Sequence, residues 1–478
     1  MATIQSKYLS HIVAFNYKNE YDSIIKNLKN NNWSTTQNLE VECDLCENIQ
    51  NELYGNHTLG TLFSKPVNQE IIYFGKGFEA KVKISNSYIY LYKNGIGFFS
   101  YNFEADDLVD SEHIKYFLNK YKEYSYPQSA LYIDTGKIDN NKKVYKVFML
   151  GPWIVSELKN LNVKFIPERE NIYKSIENII CNDAQIHNKL YMPENIELEY
   201  DSKYCDINTI PDKATLFTYL AFENNYNSTE LEMDEFAYHV SNGYRDSYKY
   251  SPTKDNTPYH PFSNATWSAS NEGCAYISYP DESNNKYFTK TLPERIQYSY
   301  KYLFIRALYE KISLQMYSNE ISESIYYSSD EILKGSNLNK TRKLQAEVNL
   351  FRAKILGTSV SHVSHHLDFY AHIIERLEIE DLSKKLAASL DSINSVQESI
   401  NSNKINIVLS IISAIQAISA IPEIFYLANI LFGVNDANTL SQLLNNNMVA
   451  GITFIVLSIA LFVIPIIIII IISKNNKN

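Results

Sequence analysis

Apolar residues are concentrated at the C-terminal end of the chain. Residues 405–432 include one charged side chain, Glu423, and residues 448–472 include none and end in seven consecutive isoleucines. At about 1.5 Å per helical residue, either segment is long enough to cross a hydrocarbon core of about 30 Å. We therefore predict two transmembrane helices, at about 405–432 and 448–472, that form a hairpin. A plain tail anchor is the alternative that hydropathy leaves open.

Basic residues at the ends of this hairpin predict its orientation. Lys404 precedes the first predicted span, Lys474 and Lys477 follow the second, and the loop 433–447 contains neither Lys nor Arg. Because cytoplasmic flanks carry the excess of Lys and Arg, we expect both termini in the cytosol. Residues 1–30 lack the apolar core of a signal peptide. The pattern predicts a multi-pass protein with cytosolic ends.

Small and weakly polar residues share one face of the first predicted span. This stripe indicates either close packing of helices through small residues or the lining of a pore, and by itself it favours neither. Glu423 projects from another face, beside Pro422, which predicts a kink. The polar members of the stripe are Asn403, Asn406, Ser410 and Ser413.

The segment before the hairpin is patterned as helix. Apolar residues recur at alternating steps of four and three from Leu386 to Ile407, with Gln397 and Lys404 interrupting the seam. That heptad pattern is typical of splayed helices rather than of a tight coiled coil. Further helices are predicted at 298–321, 339–356 and 360–386. Residues 296–402 are therefore predicted to be a helical stalk.

Residues 1–295 alternate polar and apolar positions in short runs. Lys93-Asn94-Gly95 separates two such runs within 84–103, and Asn-Gly between alternating runs is the strongest short signal for a β-hairpin. The predicted fold class is thus an α+β cytosolic domain at 1–295, a stalk of long helices at 296–402 and two C-terminal transmembrane helices at 403–478. Other predicted strands are 70–74, 143–150, 215–222 and 274–279, and predicted helices are 114–121 and 153–161.

Composition narrows the functional classes. The chain has 478 residues, of which 45% are hydrophobic and 21% charged, so it has the composition of a globular protein. Its net charge of −10 argues against binding to a nucleic acid polymer. The five cysteines form no disulfide framework and suit a reducing compartment.

Candidate chemistry is sparse. Cys43-x-x-Cys46 is a lone pair of cysteines, whereas zinc favours four ligands. His362 and His366 are weak candidates for metal binding or pH sensing, and a solvated helix face is the simpler and favoured explanation. No Ser-His-Asp or Cys-His arrangement is visible in the sequence, so we predict that the protein is not an enzyme and has no resident cofactor.

The end of the first predicted span carries a family resemblance. A long helix runs into the span, Gly433-Val434-Asn435 closes it, and a short loop, a second span and a basic tail follow. This arrangement resembles the CorA-like divalent-cation channels, the two-span Gly-Met-Asn family. The resemblance implies a homopentamer in the inner membrane of a prokaryote, with a pore made by the first spans. Gly433 and Asn435 would hold a hydrated cation such as Mg²⁺ at the outer mouth.

The resemblance has two departures, and they leave the function open. Val434 replaces the Met of the family motif, and the loop contains a single acidic residue, Asp436. The main hypothesis is a CorA-like homo-oligomeric cation channel gated by its large cytosolic domain. One alternative is a phage-defence effector, associated with type III CRISPR systems, that a nucleotide second messenger opens. Another is a membrane-anchored binding protein without transport activity.

Overall fold

The chain divides into two compact units, and each is described by itself. The first comprises residues 1–324 and 329–384, and the second comprises 325–328 and 385–478. The computed structural model describes residues 2–17, 20–36, 44–53, 57–75, 78–124, 130–170, 196–199, 209–224, 228–244, 247–253, 256–325, 335–356, 358–433 and 439–475.

Thirteen of the described strands form one mixed sheet. From edge to edge their order is β10-β7-β6-β3-β4-β5-β1-β12-β15-β14-β13, with β2 beside β3 and β8 beside β1, while β9 and β11 pair separately. The β10–β7 and β12–β15 pairs are parallel, and the others are antiparallel. The strands are β1 (Ile4–Tyr17), β2 (Ser34–Thr35), β3 (Gly60–Gly75), β4 (Phe78–Tyr92), β5 (Ile96–Glu104), β6 (Ala130–Asp139), β7 (Lys142–Met149), β8 (Val163–Ile166), β9 (Glu168–Glu170), β10 (Ile196–Glu199), β11 (Thr209–Pro211), β12 (Thr215–Phe222), β13 (Tyr259–Phe262), β14 (Ala265–Ala269) and β15 (Gly273–Ser278).

The predicted hairpin is confirmed. β4 and β5 pair antiparallel, and Gly95 at their turn has φ +91°, a conformation that favours glycine. The predicted strands at 70–74, 143–150, 215–222 and 274–279 fall on β3, β7, β12 and β15. The predicted helices at 114–121 and 153–161 overlap observed helices at Ser111–Tyr121 and Leu150–Leu158.

The helices alternate with the strands in the first part of the chain and then follow one another. Two stretches of π-helix, Tyr287–Thr291 and Ile296–Tyr300, flank α6, and a third, Arg352–Leu356, follows α8. The α-helices are α1 (Tyr21–Asn30), α2 (Glu47–Leu53), α3 (Ser111–Tyr121), α4 (Leu150–Leu158), α5 (Glu230–Asn242), α6 (Leu292–Arg295), α7 (Lys301–Ile325), α8 (Gly335–Phe351), α9 (Ser364–Arg376), α10 (Ile379–Ser419), α11 (Ile421–Leu431), α12 (Leu440–Asn446) and α13 (Met448–Asn475).

Both faces of the central strands are covered. Eight of the nine residues of β5 are buried, as expected for a strand between two layers. On one face, Trp153 of α4 packs against Phe99 and Tyr101. On the other face, Tyr309 of α7 stacks on Tyr92 at a ring-centroid distance of 3.7 Å. The sheet therefore lies between helical layers.

Two helices of the predicted stalk, α7 and α9, pack on the sheet instead. α7 contacts it through the Tyr309–Tyr92 stack, and Phe369 of α9 meets Trp267 of β14 at 5.1 Å. Aromatic side chains on these two helices are the cause, because the sheet buries them. The predicted fold class is corrected to a mixed α/β fold built on one large mixed sheet of 13 described strands.

Across the part of the chain that the structure describes, no helix reaches the length and apolar character that a membrane crossing requires. α10 ends at Ser419 and α11 is an 11-residue helix, so the first predicted span is divided beside Pro422. In α13, the side chains of isoleucines 466–472 lie outside the described residues. The finding contradicts the two predicted spans, the multi-pass inner-membrane location and the assignment as a membrane ion channel.

The second unit has a small core of its own. Leu443 of α12 and Ala450 of α13 are fully buried, and Phe425 of α11 meets Phe454 of α13 edge to face at 5.1 Å. A Cβ on Gly451 would lie 2.4 Å from the Leu444 side chain, so glycine allows α12 and α13 to approach closely. These contacts hold α11, α12 and α13, which follow one another in the chain, together.

Candidate functional site

A cavity of about 440 Å³ lies beside the β4–β5 turn in the first unit. Lys93 and Asn94 of the turn form one side, and Thr58 and Leu59, which precede β3, extend it. The remaining lining comes from α7, α8 and the π-helical stretch after α8. The volume falls within the range of about 300–1,000 Å³ that is typical of small-molecule sites.

Residue spacing explains why two helices line the same cavity. One face of α7 carries four lining residues at helical spacing, namely Tyr309, Met316, Tyr317 and Glu320. The lining residues of α8 recur at the same helical spacing, and the series continues into the π-helical stretch. They are Glu347, Leu350, Phe351, Lys354 and Ile355. Each helix therefore presents a single face to the cavity.

Aromatic side chains form the floor. Phe351 meets Tyr309 at 5.9 Å and Tyr317 at 5.5 Å, both edge to face. Tyr309 is fixed from behind by its stack on Tyr92. The three lining rings are at most 6% exposed, so their rotamers are held by packing. Such a rigid apolar surface suits a flat ring on a ligand.

Asn94 places a hydrogen-bond acceptor at this floor. Its amide Nδ2 donates to Ser313 Oγ at 3.1 Å, which fixes the orientation of the side chain. Its Oδ1 is buried and has no hydrogen-bond partner among the described residues. A buried acceptor without a donor costs about 1–3 kcal/mol, and a ligand N–H or O–H would recover it.

Charges of both signs surround the opening. Lys93 and Lys354 are exposed, and Lys93 Nζ donates to Thr58 O at 3.3 Å. Glu320 and Glu347 lie on the two helices. Partial burial, with Glu347 and Glu323 nearby, raises the pKa of Glu320. The site thus offers ammonium groups to an anion and carboxylates to N–H donors.

A buried ionic cluster contacts the π-helical stretch that lines the cavity. Arg306 of α7 contacts Glu52 Oε2 at 3.1 Å and Glu310 Oε1 at 3.2 Å, and its Nη2 donates to Ile355 O at 3.0 Å. Tyr302 donates to Glu52 and Tyr370 to Glu310. Because Ile355 follows Lys354, Arg306 fixes the π-helical stretch that carries one of the cavity's lysines.

Burial controls ionisation in this cluster. It raises the pKa of Glu310 to about 7 and raises that of Glu52, although Arg306 opposes both shifts. Burial would lower the pKa of Arg306, but Tyr370, Glu310 and Glu52 raise it overall. The guanidinium is therefore the fixed charge around which the two carboxyl groups are arranged.

A second cavity, of about 370 Å³, lies between α3 and α5 in the same unit. Glu112, Glu232 and Glu235 line it together with a single lysine, Lys115. Lys115 is already paired with Glu112 at 2.9 Å. This carboxylate-rich lining suits an anionic ligand less well than the cavity beside the β4–β5 turn.

The predicted pore residues lie in the second unit. They are not among the residues that line the cavity beside the β4–β5 turn. Ser410 donates to Asn406 O at 2.8 Å within α10, and Ser413 is exposed. Gly433 follows α11 with φ +64°. Val434 and Asn435 lie outside the described residues, as does the side chain of Asn403. Their assignment to a pore remains a prediction.

The two predicted histidine ligands do not share a helix. α9 begins at Ser364, so exposed His362 precedes it, while His366 is buried within it. Burial and neighbouring His365 lower the pKa of His366 to about 4. Among the described residues, no group of three or more His, Cys, Asp or Glu side chains is placed to hold a metal ion.

Comparison with known proteins adds no identification. Protein-family models, curated proteins and solved structures give no match to the chain. The resemblance to CorA-like channels therefore remains a prediction. The fold is that of a mixed α/β protein, and the cavity beside the β4–β5 turn is its candidate small-molecule site.

The cavity was not predicted from the sequence. The apolar period over 298–321 indicated a helix face, and Lys93-Asn94-Gly95 indicated a turn, but neither pattern showed that they meet. Tyr309 and Tyr317, eight residues apart, were the available signal, since this spacing places two aromatic residues on one helix face.

Proposed function

We propose that the protein is a nucleotide-binding sensor and that the cavity beside the β4–β5 turn is its nucleotide site. The observation that carries this proposal is the convergence of an aromatic floor, the partnerless Asn94 Oδ1 and two exposed lysines on one cavity. A nucleotide second messenger was among the partners expected from the sequence.

The lining matches the parts of a nucleotide. The floor of Tyr309, Tyr317 and Phe351 offers a base an apolar contact surface, because these rings line the cavity although they are almost fully buried. An exocyclic amine on the base would donate to Asn94 Oδ1. Lys93 and Lys354 would neutralise phosphate oxygens at the opening. The cavity volume suits one nucleotide unit.

Isothermal titration calorimetry of the full chain tests the proposal. AMP, GMP and cyclic di-AMP are the probes, and adenosine and inorganic phosphate separate the contribution of the base from that of the phosphate. We expect at least one nucleotide to bind more tightly than either fragment. Absence of binding by all three nucleotides contradicts the proposal.

Combined replacement of Lys93 and Lys354 by Met locates the site. We expect the double variant to raise the Kd of the bound nucleotide by about tenfold or more, because it removes both ammonium groups from the opening. The matched control is the combined replacement of Lys286 and Lys290 by Met, since both lysines are exposed and neither is among the residues that line the cavity. Equal affinity of the Lys93 and Lys354 double variant and the wild type would place the nucleotide elsewhere.

A further inference from the structure

Two residues singled out separately in the sequence meet in the fold. Cys46 and His362 are 316 positions apart, and Cys46 Sγ lies 3.5 Å from His362 Nε2. A thiol and an imidazole at this distance are within hydrogen-bonding reach. Cys46 and the histidine-rich segment therefore share one location, and Cys43 lies outside the described residues.

Backbone pairing fixes this approach. Leu45 and Ser361 form an antiparallel bridge, and the Cys46 N–H donates to Val360 O at 3.1 Å. Ser361 Oγ donates to Asp44 O at 2.6 Å. The two segments are thus held in register at residues 44–46, next to the thiol, so the Cys46–His362 contact does not depend on a single flexible side chain.

A basic partner distinguishes Cys46 from the other described cysteine. Both thiols are buried, with Cys46 6% exposed and Cys274 in β15 1% exposed, but Cys46 contacts the imidazole of His362, a residue that is itself exposed. Burial raises the pKa of the Cys274 thiol well above the ordinary value. The chain therefore contains a thiol beside an imidazole and a second buried thiol that serves as a reference.

We propose that Cys46 is a reactive thiol that His362 activates for exchange with low-molecular-weight disulfides. A thiolate, not a thiol, is the attacking species, and an adjacent imidazole generates it by accepting the proton. This site is separate from the nucleotide cavity, and the inference does not depend on the proposed function.

The exchange balances without a further reactant. His362 Nε2 accepts the Sγ proton, and the Cys46 thiolate attacks one sulfur of a disulfide R–S–S–R. A Cys46–S–S–R bond forms as the R–S–S–R bond breaks, and the leaving thiolate takes the proton from the imidazolium. The disulfide is the oxidant, and the product is a reversible mixed disulfide together with one R–SH.

Alkylation of the folded full chain by iodoacetamide tests the inference, with peptide mapping by mass spectrometry to follow each cysteine separately. At pH 7 we expect Cys46 to react at least about tenfold faster than in His362→Gln, which keeps the size of the side chain but cannot accept the proton. At pH 10 the two proteins should react at similar rates, because an ordinary thiol is ionised there without assistance. Cys274 should remain unmodified in both.

Incubation with oxidised glutathione supplies the second readout. Wild-type protein should gain one glutathione on Cys46, and dithiothreitol should remove it. Equal alkylation rates of wild type and His362→Gln at pH 7 would overturn the inference. So would stoichiometric zinc in the purified protein whose removal by EDTA accelerates alkylation of Cys46, because the pair would then be part of a metal site.

Discussion

Replacing Arg306 by Met is expected to remove about 3–5 kcal/mol from the free energy of unfolding of the first unit. The variant leaves the carboxyl groups of Glu52 and Glu310, which are 4% and 2% exposed, without their cation. Removal of one partner from a buried ionic cluster lowers the free energy of unfolding by more than the intact cluster adds to it. The reason is that the remaining charges stay out of contact with water and have lost their partner.

Tryptophan fluorescence during urea unfolding measures this effect. The three tryptophans, Trp33, Trp153 and Trp267, are all buried in the first unit, so they report on the unit that contains Arg306. Lys384→Met is the control, because its pair with Glu380 is exposed and should contribute no more than about 0.5 kcal/mol. A loss below about 1 kcal/mol in Arg306→Met would contradict the expected role of the cluster.

The pH dependence of the stability of Arg306→Met distinguishes the effect of the lost charge from the effect of the lost packing. The raised folded-state pKa of Glu310, about 7, means that the folded protein holds its proton where the unfolded chain has lost it. Stability from this group therefore falls as pH rises from about 4.5 towards 7. Without Arg306 this penalty grows, so the deficit of Arg306→Met should be larger at pH 8 than at pH 5. A deficit independent of pH would indicate lost packing alone.

The second large effect is expected at Lys301. Its ammonium is 1% exposed, and burial lowers its pKa to about 7. Nζ donates to Tyr8 OH and Asn102 Oδ1, both at 3.1 Å, and lies 4.8 Å from the centre of the Tyr88 ring. These neutral partners orient the amine without compensating a full charge.

The lowered pKa makes stability rise with pH. Between pH 7 and about 10.5 the unfolded chain binds a proton at Lys301 that the folded chain has released, so raising the pH favours the folded state. From pH 7 to pH 9 this amounts to about 2 kcal/mol. Burial raises the pKa of Tyr8 well above the ordinary phenol value, so this neighbour contributes little below pH 9.

Lys301→Met should remove this rise. Tyr8 OH already donates to Asn102 Oδ1 at 3.0 Å, so the variant leaves that acceptor satisfied. The measurement is the difference between wild-type and variant free energies of unfolding at pH 7 and pH 9, which cancels the contribution of every other titrating group. A difference that does not change with pH would show that Lys301 keeps its proton in the folded protein.

Local sequence patterns predicted local structure well. The β4–β5 hairpin followed from Asn94-Gly95, because few residues other than glycine tolerate the positive φ of such a turn. The α7 helix followed from its apolar period. These elements are decided by interactions between residues close together in the chain.

Long-range association was not predictable from the same patterns. α8 and α9 were expected in a stalk because their periodicity shows only that each has an apolar face, not what covers that face. Phe369 packs on Trp267, about a hundred positions earlier in the chain. The Cys46–His362 contact and the cavity lining have the same origin, since each joins segments that only the tertiary fold brings together.

The place of β1 in the sheet has a consequence for synthesis on the ribosome. Tyr8 pairs with Tyr219, and Phe15 pairs with both Gly97 and Phe165. At about 5–20 residues per second, the first strand to be made waits roughly 10–40 s before its β12 partner is translated. During that interval its apolar side chains and open edge are available to chaperones and to other nascent chains. A strand that pairs with β5, β8 and β12 in the finished fold therefore keeps one edge unpaired until β12 has been made.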